Sequence, residues 1–208
     1  MKKRVLILVL GIMAIALIAS CSSSPNVARV NSDTQIDLSG RWNDTDVRLV
    51  CETLINASLE SPRVAQYIQQ YAKAHQGNLP TVIVGAFRNT SSEHIDTSII
   101  SKTMEIAIVN SGKLDFVAGG DTRNELRAER GDQQSNASES TASALANETA
   151  ANLMLTGSVK SMVDRAGNTS VRSYFVSAEM TNIENNTRLW MGENNDIKKV
   201  IKQPKAKI

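Results

Sequence analysis

Thr81–Ala118 reads TVIVGAFRNTSSEHIDTSIISKTMEIAIVNSGKLDFVA, and this stretch decides the fold. Val82, Ile83 and Val84 are a short β-branched run, which suits a strand covered on both faces. A polar loop follows, Arg88 to Ile95. Asp96 is placed to cap a helix, because its carboxylate can accept an otherwise unpaired N–H of the first turn. Ile99, Ile100, Thr103, Ile106 and Ala107 recur at helical spacing and predict its inward stripe. Gly112 can take the left-handed conformation that ends a helix. Leu114 to Ala118 is a second strand. Strand, helix and strand within about forty residues predict a right-handed βαβ crossover.

Two amphipathic helices precede this unit. Asp44 or Thr45 caps the first, which runs to about Leu59, with Val47, Val50, Cys51, Leu54 and Ile55 on one face. Pro62 suits the first turn of the second, where its missing N–H costs nothing. Val64, Tyr67, Ile68, Tyr71 and Ala72 repeat the stripe and Gly77 ends it. After Ala118, Gly119-Gly120 turns the chain into a charged helix from Asp121 or Thr122 to about Arg130. Gly131 to Ser138 reads as a surface loop. A further helix is expected with Ala142, Leu145, Ala146, Thr149 and Ala150 inward.

The last third is strand-like. Leu153 to Val163 leads to a turn at Gly167-Asn168. Tyr174, Val176, Ala178 and Met180 alternate with polar or outward residues, a half-buried pattern. Glu184-Asn185-Asn186-Thr187 is a second turn, and Leu189 to Glu193 a final strand containing Trp190, expected in the core. The fold class is α+β: one domain whose mixed β-sheet combines the βαβ unit with an antiparallel C-terminal meander, covered by helices.

The N-terminus carries the most specific signal. Lys2-Lys3-Arg4 precede an apolar run, Val5 to Ala19, that is short for a membrane span of about 20 residues. Ile18-Ala19-Ser20-Cys21 then forms a bacterial lipobox. Cleavage between Ser20 and Cys21 would free an α-amine for acylation and leave the Cys21 thiol to accept diacylglycerol. Acyl chains contribute about 0.8 kcal/mol per buried CH₂, so several hold a protein on a membrane. Ser22 rather than Asp favours sorting to the outer membrane, facing the periplasm.

The expected organisation is a signal peptide over 1–20, a lipidated disordered tether over 21–38, a globular domain over 39–197 and a frayed basic tail over 198–208. The tether's 17 residues after Cys21 span at most ~60 Å stretched and about 23 Å as a coil. Trp42, just after it, is expected to staple the chain onto the domain.

The formal net charge is +2, and removing the three signal-peptide cations leaves −1. That balance gives no general case for nucleic acid. Aromatic content is only 4%, so the core must be mostly aliphatic. Cys51 alone remains after lipidation and reads as a small buried residue.

Little in the chain points to catalysis. The two histidines, His75 and His94, form no pair at metal spacing, and neither a phosphate-cradling loop nor a nucleophile motif occurs. Neither a cofactor, a metal nor a small-molecule substrate is expected. His94, Glu93 and Asp96 could be imagined as an acid–base cluster, but a solvated polar loop is the plainer reading. Arg88, Asn89, Thr90, Glu93 and His94 are the candidate partner-binding residues, because they leave the C-terminal end of a central strand, where α/β sheets often place binding sites. A plain connection is the alternative.

Three phrases carry a resemblance: Val82-Ile83-Val84-Gly85-Ala86-Phe87-Arg88-Asn89-Thr90-Ser91-Ser92-Glu93-His94-Ile95, Ser111 to Val117, and Ala150 to Val159. With Thr187-Arg188-Leu189-Trp190 at the end, they resemble the LpoB family of outer-membrane lipoproteins that activate penicillin-binding proteins. The similarity runs from about Asp37 to Glu193. It implies a domain like the N-terminal domain of TolB. It also implies a role: binding a class A penicillin-binding protein and stimulating its glycan polymerisation and cross-linking. No catalytic residue comes with it. Familiar members carry a long proline-rich tether, whereas here Pro25 is the tether's only proline. An assembly lipoprotein of an envelope or curli-type secretion complex is the alternative reading.

Overall fold

The computed structural model describes residues 27–32, 34–138 and 148–204. The chain divides into two units, Met1–Thr34 and Gln35–Ile208. All described helices and strands belong to the second. In the first, the Thr34 N–H donates to the Asn31 carbonyl at 3.0 Å. The expected helix around Ala142 falls largely outside the described residues, and Thr149 and Ala150 take no regular structure.

Helix α1 spans Asp44–Leu59. Its cap is Asn43, one residue before the expected Asp44. The Asn43 side chain accepts from the Asp46 N–H at 3.1 Å, and the Asp46 carboxylate accepts from the Asn43 N–H at 3.0 Å. This reciprocal pair satisfies two donors the helix leaves unpaired. Val47, Val50, Cys51, Leu54 and Ile55 are buried as the spacing predicts. Helix α2, Pro62–Ala74, starts on its proline and buries Val64. Gln76 and Gly77 end it with positive φ.

Strand β1 is Thr81–Asn89, longer than its apolar run, so Arg88 and Asn89 lie in the sheet rather than in a loop. Helix α3, Thr97–Ser111, is capped by Asp96, which accepts from the Ser98 N–H at 3.0 Å, and stops at Gly112 with φ 61°. Its inward stripe is Ile100, Met104 and Ile108, whereas Ile99 and Ile106 are half-exposed. The expected phase was therefore rotated. Ile99, Ile106 and Val109 put apolar residues on a second, exposed side, so spacing alone does not choose the face. Strand β2, Asp115–Phe116, pairs parallel to β1 through Thr81↔Asp115 and Val82↔Phe116.

Helix α4 runs Gly120–Asn136, through the stretch expected to be a loop. It buries no residue. Side-chain pairs one turn apart, Gln133 to Glu129 and Asn136 to Asp132, each at 2.8 Å, support it instead. Glu148 gathers Arg127 at 2.7 Å, Arg130 at 3.3 Å and Arg123 at 3.9 Å.

The long hairpin follows. Strands β3, Leu153–Ala166, and β4, Thr169–Asn182, pair from Leu153↔Asn182 to Ala166↔Thr169 around Gly167 with φ 59°. Strand β5 is Arg188–Asn194. Strand β6, Lys198–Lys202, pairs antiparallel with the far half of β4, from Thr169↔Lys202 to Ser173↔Lys198. The frayed-tail expectation is corrected there: Val200 and Ile201 supply strand propensity, and Lys199 finds carboxylates. The sheet order is β2-β1-β3-β4-β5, with β6 on β4. The first three strands are parallel and the rest antiparallel, so the sheet is mixed and the class is α+β as expected.

Core residues of α1 and α3 cluster with Leu153, Leu155, Val159, Tyr174, Val176 and Met180. The intervening β3 and β4 residues stay partly exposed, so the sheet has one covered face and one open face. Gly157 sits on the covered face directly under the Phe87 ring, where a Cβ would collide with that ring and with the Ser177 carbonyl. Trp190 is half-buried at the core's edge and lies over Gly192 in the same way.

Candidate functional site

The segment after β1 is built from its own polar side chains. The Asn89 amide donates to the Glu93 carbonyl at 2.7 Å, and its carbonyl oxygen accepts from the Ser91 N–H at 2.9 Å and hydroxyl at 2.7 Å. Thr90 ties back to β3, its N–H and hydroxyl both donating to the Val159 carbonyl. Asn89 and Thr90 therefore fix the loop's shape. His94 is exposed.

Glu93 does not stay in solvent. Its side chain is 8% exposed and pairs with Arg172 at 2.7 Å. The Tyr174 hydroxyl donates to the same carboxylate at 2.9 Å. Burial, reinforced by the bond to Glu93, pushes the Tyr174 phenol well above its ordinary range. The polar-loop reading missed this because the partners lie on β4, far along the chain. Asp96 has a separate task at the start of α3, and bonds from the Ser98 hydroxyl and N–H hold its carboxyl below the usual range. The imagined acid–base cluster of Glu93, His94 and Asp96 is thus not assembled. Among the described residues no group of three or more His, Cys, Asp or Glu could hold a metal. Cys51 is free and buried, and burial pushes its thiol up to about 12.

The same network grips the start of the domain. The Trp42 ring meets Tyr174 edge-on with centroids 5.1 Å apart, and the Trp42 backbone N–H donates to the Glu93 carboxylate at 3.4 Å. Trp42 is the staple the sequence suggested. Arg172 also donates to the Gly40 carbonyl at 3.4 Å. A second clip lies alongside. The Lys199 ammonium donates to Asp46 at 2.6 Å, Asp37 at 2.7 Å and the Arg41 carbonyl at 2.9 Å. Its bond with Lys199 holds Asp37 below the ordinary carboxylate value. For Asp46 burial outweighs the same partner and raises it. Burial pulls Lys199 down, but the bonds to Asp37 and Asp46 outweigh it and hold the ammonium up. Residues from Gln35 onward thus belong to the folded unit, a correction to the tether boundary.

Arg88 projects on the open sheet face. With Met154, Thr156, Ser158, Glu179 and Met191 it lines a shallow groove of ≈ 520 Å³. Glu179 is paired with Arg188 at 3.0 Å, and Met191 is 63% exposed. The groove's mixed character suits a protein surface better than a small polar substrate. Ser20 and Cys21 lie outside the described residues.

One family model matches the sequence. The model described as the peptidoglycan-synthase activator LpoB matches residues 46–195, from the first turn of α1 to just past β5. The chain belongs to the LpoB family. No curated relative matches the sequence. Among solved structures, the LpoB C-terminal domain from Salmonella enterica is 13% identical, with 76% of this chain and 99% of that chain covered and a TM-score of 0.41. The NMR structure of E. coli LpoB is 14% identical, with 89% and 85% covered and a TM-score of 0.41. The PelC dodecamer from Paraburkholderia phytofirmans is 15% identical, with 56% and 71% covered and a TM-score of 0.30. Membership in the LpoB family makes this domain one of a class of regulators.

Proposed function

We propose that this chain is a non-catalytic outer-membrane lipoprotein, anchored through Cys21, that binds a class A penicillin-binding protein and stimulates peptidoglycan synthesis. The observation that carries the reading is the family match across 46–195, which takes in α1 to α4 and β1 to β5. The build of the loop supports it. Its polar groups are used to hold a shape, and a preorganised surface is what docking needs. In this reading Asn89, Thr90 and Glu93 set the surface, and Arg88 and His94 present themselves to the partner. The fatty chains on Cys21 hold the domain at one membrane and raise its effective concentration there.

Glycan polymerisation by a purified class A penicillin-binding protein, with and without this chain, is the test. The expected outcome is a faster rate with the chain present and a smaller gain with Arg88→Ala and His94→Ala together. An unchanged rate and no co-purification would overturn the reading. A monomer by light scattering is expected, since an activator of this kind needs no ring.

A further inference from the structure

The far end of the β3–β4 hairpin carries cations that pair with no carboxylate among the described residues. Strand β3 runs on past its last pairing with β1, Asn89↔Val159, to Ala166. Arg41, Arg165 and Lys202 all lie at this end, Arg165 on the covered face of the sheet and Lys202 on the open face. Arg41 and Arg165 line one polar groove with Ser39, Asn168 and Ile201, and Lys202 pairs in register with Thr169 at its edge. All three side chains are exposed, and among the described residues none is paired with a carboxylate. The carboxylates nearby are engaged: Asp37 and Asp46 by Lys199, and Glu93 by Arg172. Asp164 is exposed on the same hairpin and offsets one charge.

The leading segment of the folded unit, which begins at Gln35, passes this groove. Ser39 and Arg41 line it, and a Cβ on Gly40 would collide with Ile201. Arg172 and Lys199 hold this segment by its Gly40 and Arg41 carbonyls. The point where the leading chain departs is therefore fixed beside the three cations. Gln35 lies fourteen residues after Cys21, and a flexible tether of that length, as the sequence predicts, reaches about 21 Å. On the reading that Cys21 is lipidated, this end of the domain is the one kept within reach of the bilayer.

We propose that Arg41, Arg165 and Lys202 form a membrane-facing surface that docks on anionic phospholipid headgroups and orients the domain on its anchor. Each Lys or Arg at an anionic leaflet is worth roughly fivefold in partitioning, so two net charges favour the docked state by about 25-fold. The attraction fades within a Debye length of about 8 Å at physiological salt, so the short coil is what makes it effective. The hairpin end lies beyond the last β1–β3 pair and leaves Arg88 free for a partner.

The test uses the native lipidated chain with Ala166→Cys at the hairpin tip. Cys51 is buried, so a fluorophore labels the tip alone. Energy transfer to headgroup-labelled lipid is measured on vesicles of phosphatidylcholine alone and of phosphatidylcholine with phosphatidylglycerol. The expected result is strong transfer on the anionic vesicles, lost in high salt and in Arg41→Gln/Arg165→Gln/Lys202→Gln, while both proteins still float with both vesicles. Equal transfer on the two vesicles with flotation intact overturns this surface and leaves the anchor standing. A chain that floats with neither overturns both. Transfer that rises only when a penicillin-binding protein is added assigns the basic end to a protein partner and overturns the membrane contact.

Discussion

Glu93 carries its carboxylate inward to meet Arg172 and Tyr174, and removing one member of such a group leaves the other charge stranded. Glu93→Gln is expected to cost about 3 kcal/mol in urea unfolding. The neighbouring His94→Ala should stay within about 0.5 kcal/mol, since His94 is exposed. Similar losses from both would refute the buried pair. Gly157→Ala should cost about 1–3 kcal/mol, because the new methyl has the Phe87 ring and a backbone carbonyl in its place. Gly131→Ala, with open space in α4, should be neutral or stabilise by up to about 1 kcal/mol. The local devices were legible in sequence: Asp96 and Gly112 act through neighbours within a few residues. The inward turn of Glu93 was not, because nothing within the loop announces a cation on β4.

Strand β6 shows where element-level reading fails. A lysine-rich ending reads as solvated, yet Lys199 is 9% exposed and bridges Asp37 and Asp46. The α3 phase and the length of α4 failed for related reasons: one helix carries apolar residues on an exposed side as well as the buried one and the other is polar all round, so neither shows a clear periodic contrast. The Lys199 clip predicts a pH signature. Lys199 is raised above its ordinary 10.5, so its contribution is complete below that value and is lost as pH climbs past it. Asp37 is lowered, so its share is present above 3.8 and lost as pH falls further. Asp46 is raised and acts in the opposite sense in that acid window. Thermal melts of wild type and Lys199→Met should therefore differ by about 3 kcal/mol near neutrality and converge in alkali. A gap that persists unchanged above the lysine range would show that the strand holds by packing alone.

For the molecule as a whole, the sheet's composition was readable because each strand advertises itself by β-branched runs or alternation. That β6 pairs beside β5 on the same edge of β4 was not, since pairing between distant strands leaves no local mark. The proposed anchor makes a prediction at this scale. Cys21→Ala should move the protein from the membrane fraction to the soluble one while its melting temperature stays the same, because no described helix is long and apolar enough to cross a bilayer. Retention of that variant on membranes would count against lipid attachment.

The residue that pins the domain's first segment belongs to its last strand. Synthesis proceeds from the other end, so α1, the hairpin and most of the sheet exist before Lys199 has emerged. On the proposed export and acylation of Cys21, the leash stays loose on a half-exported chain and is cinched only when translocation is complete. A truncated product of that kind would keep the proposed mooring and much of its fold, yet swing without a set direction.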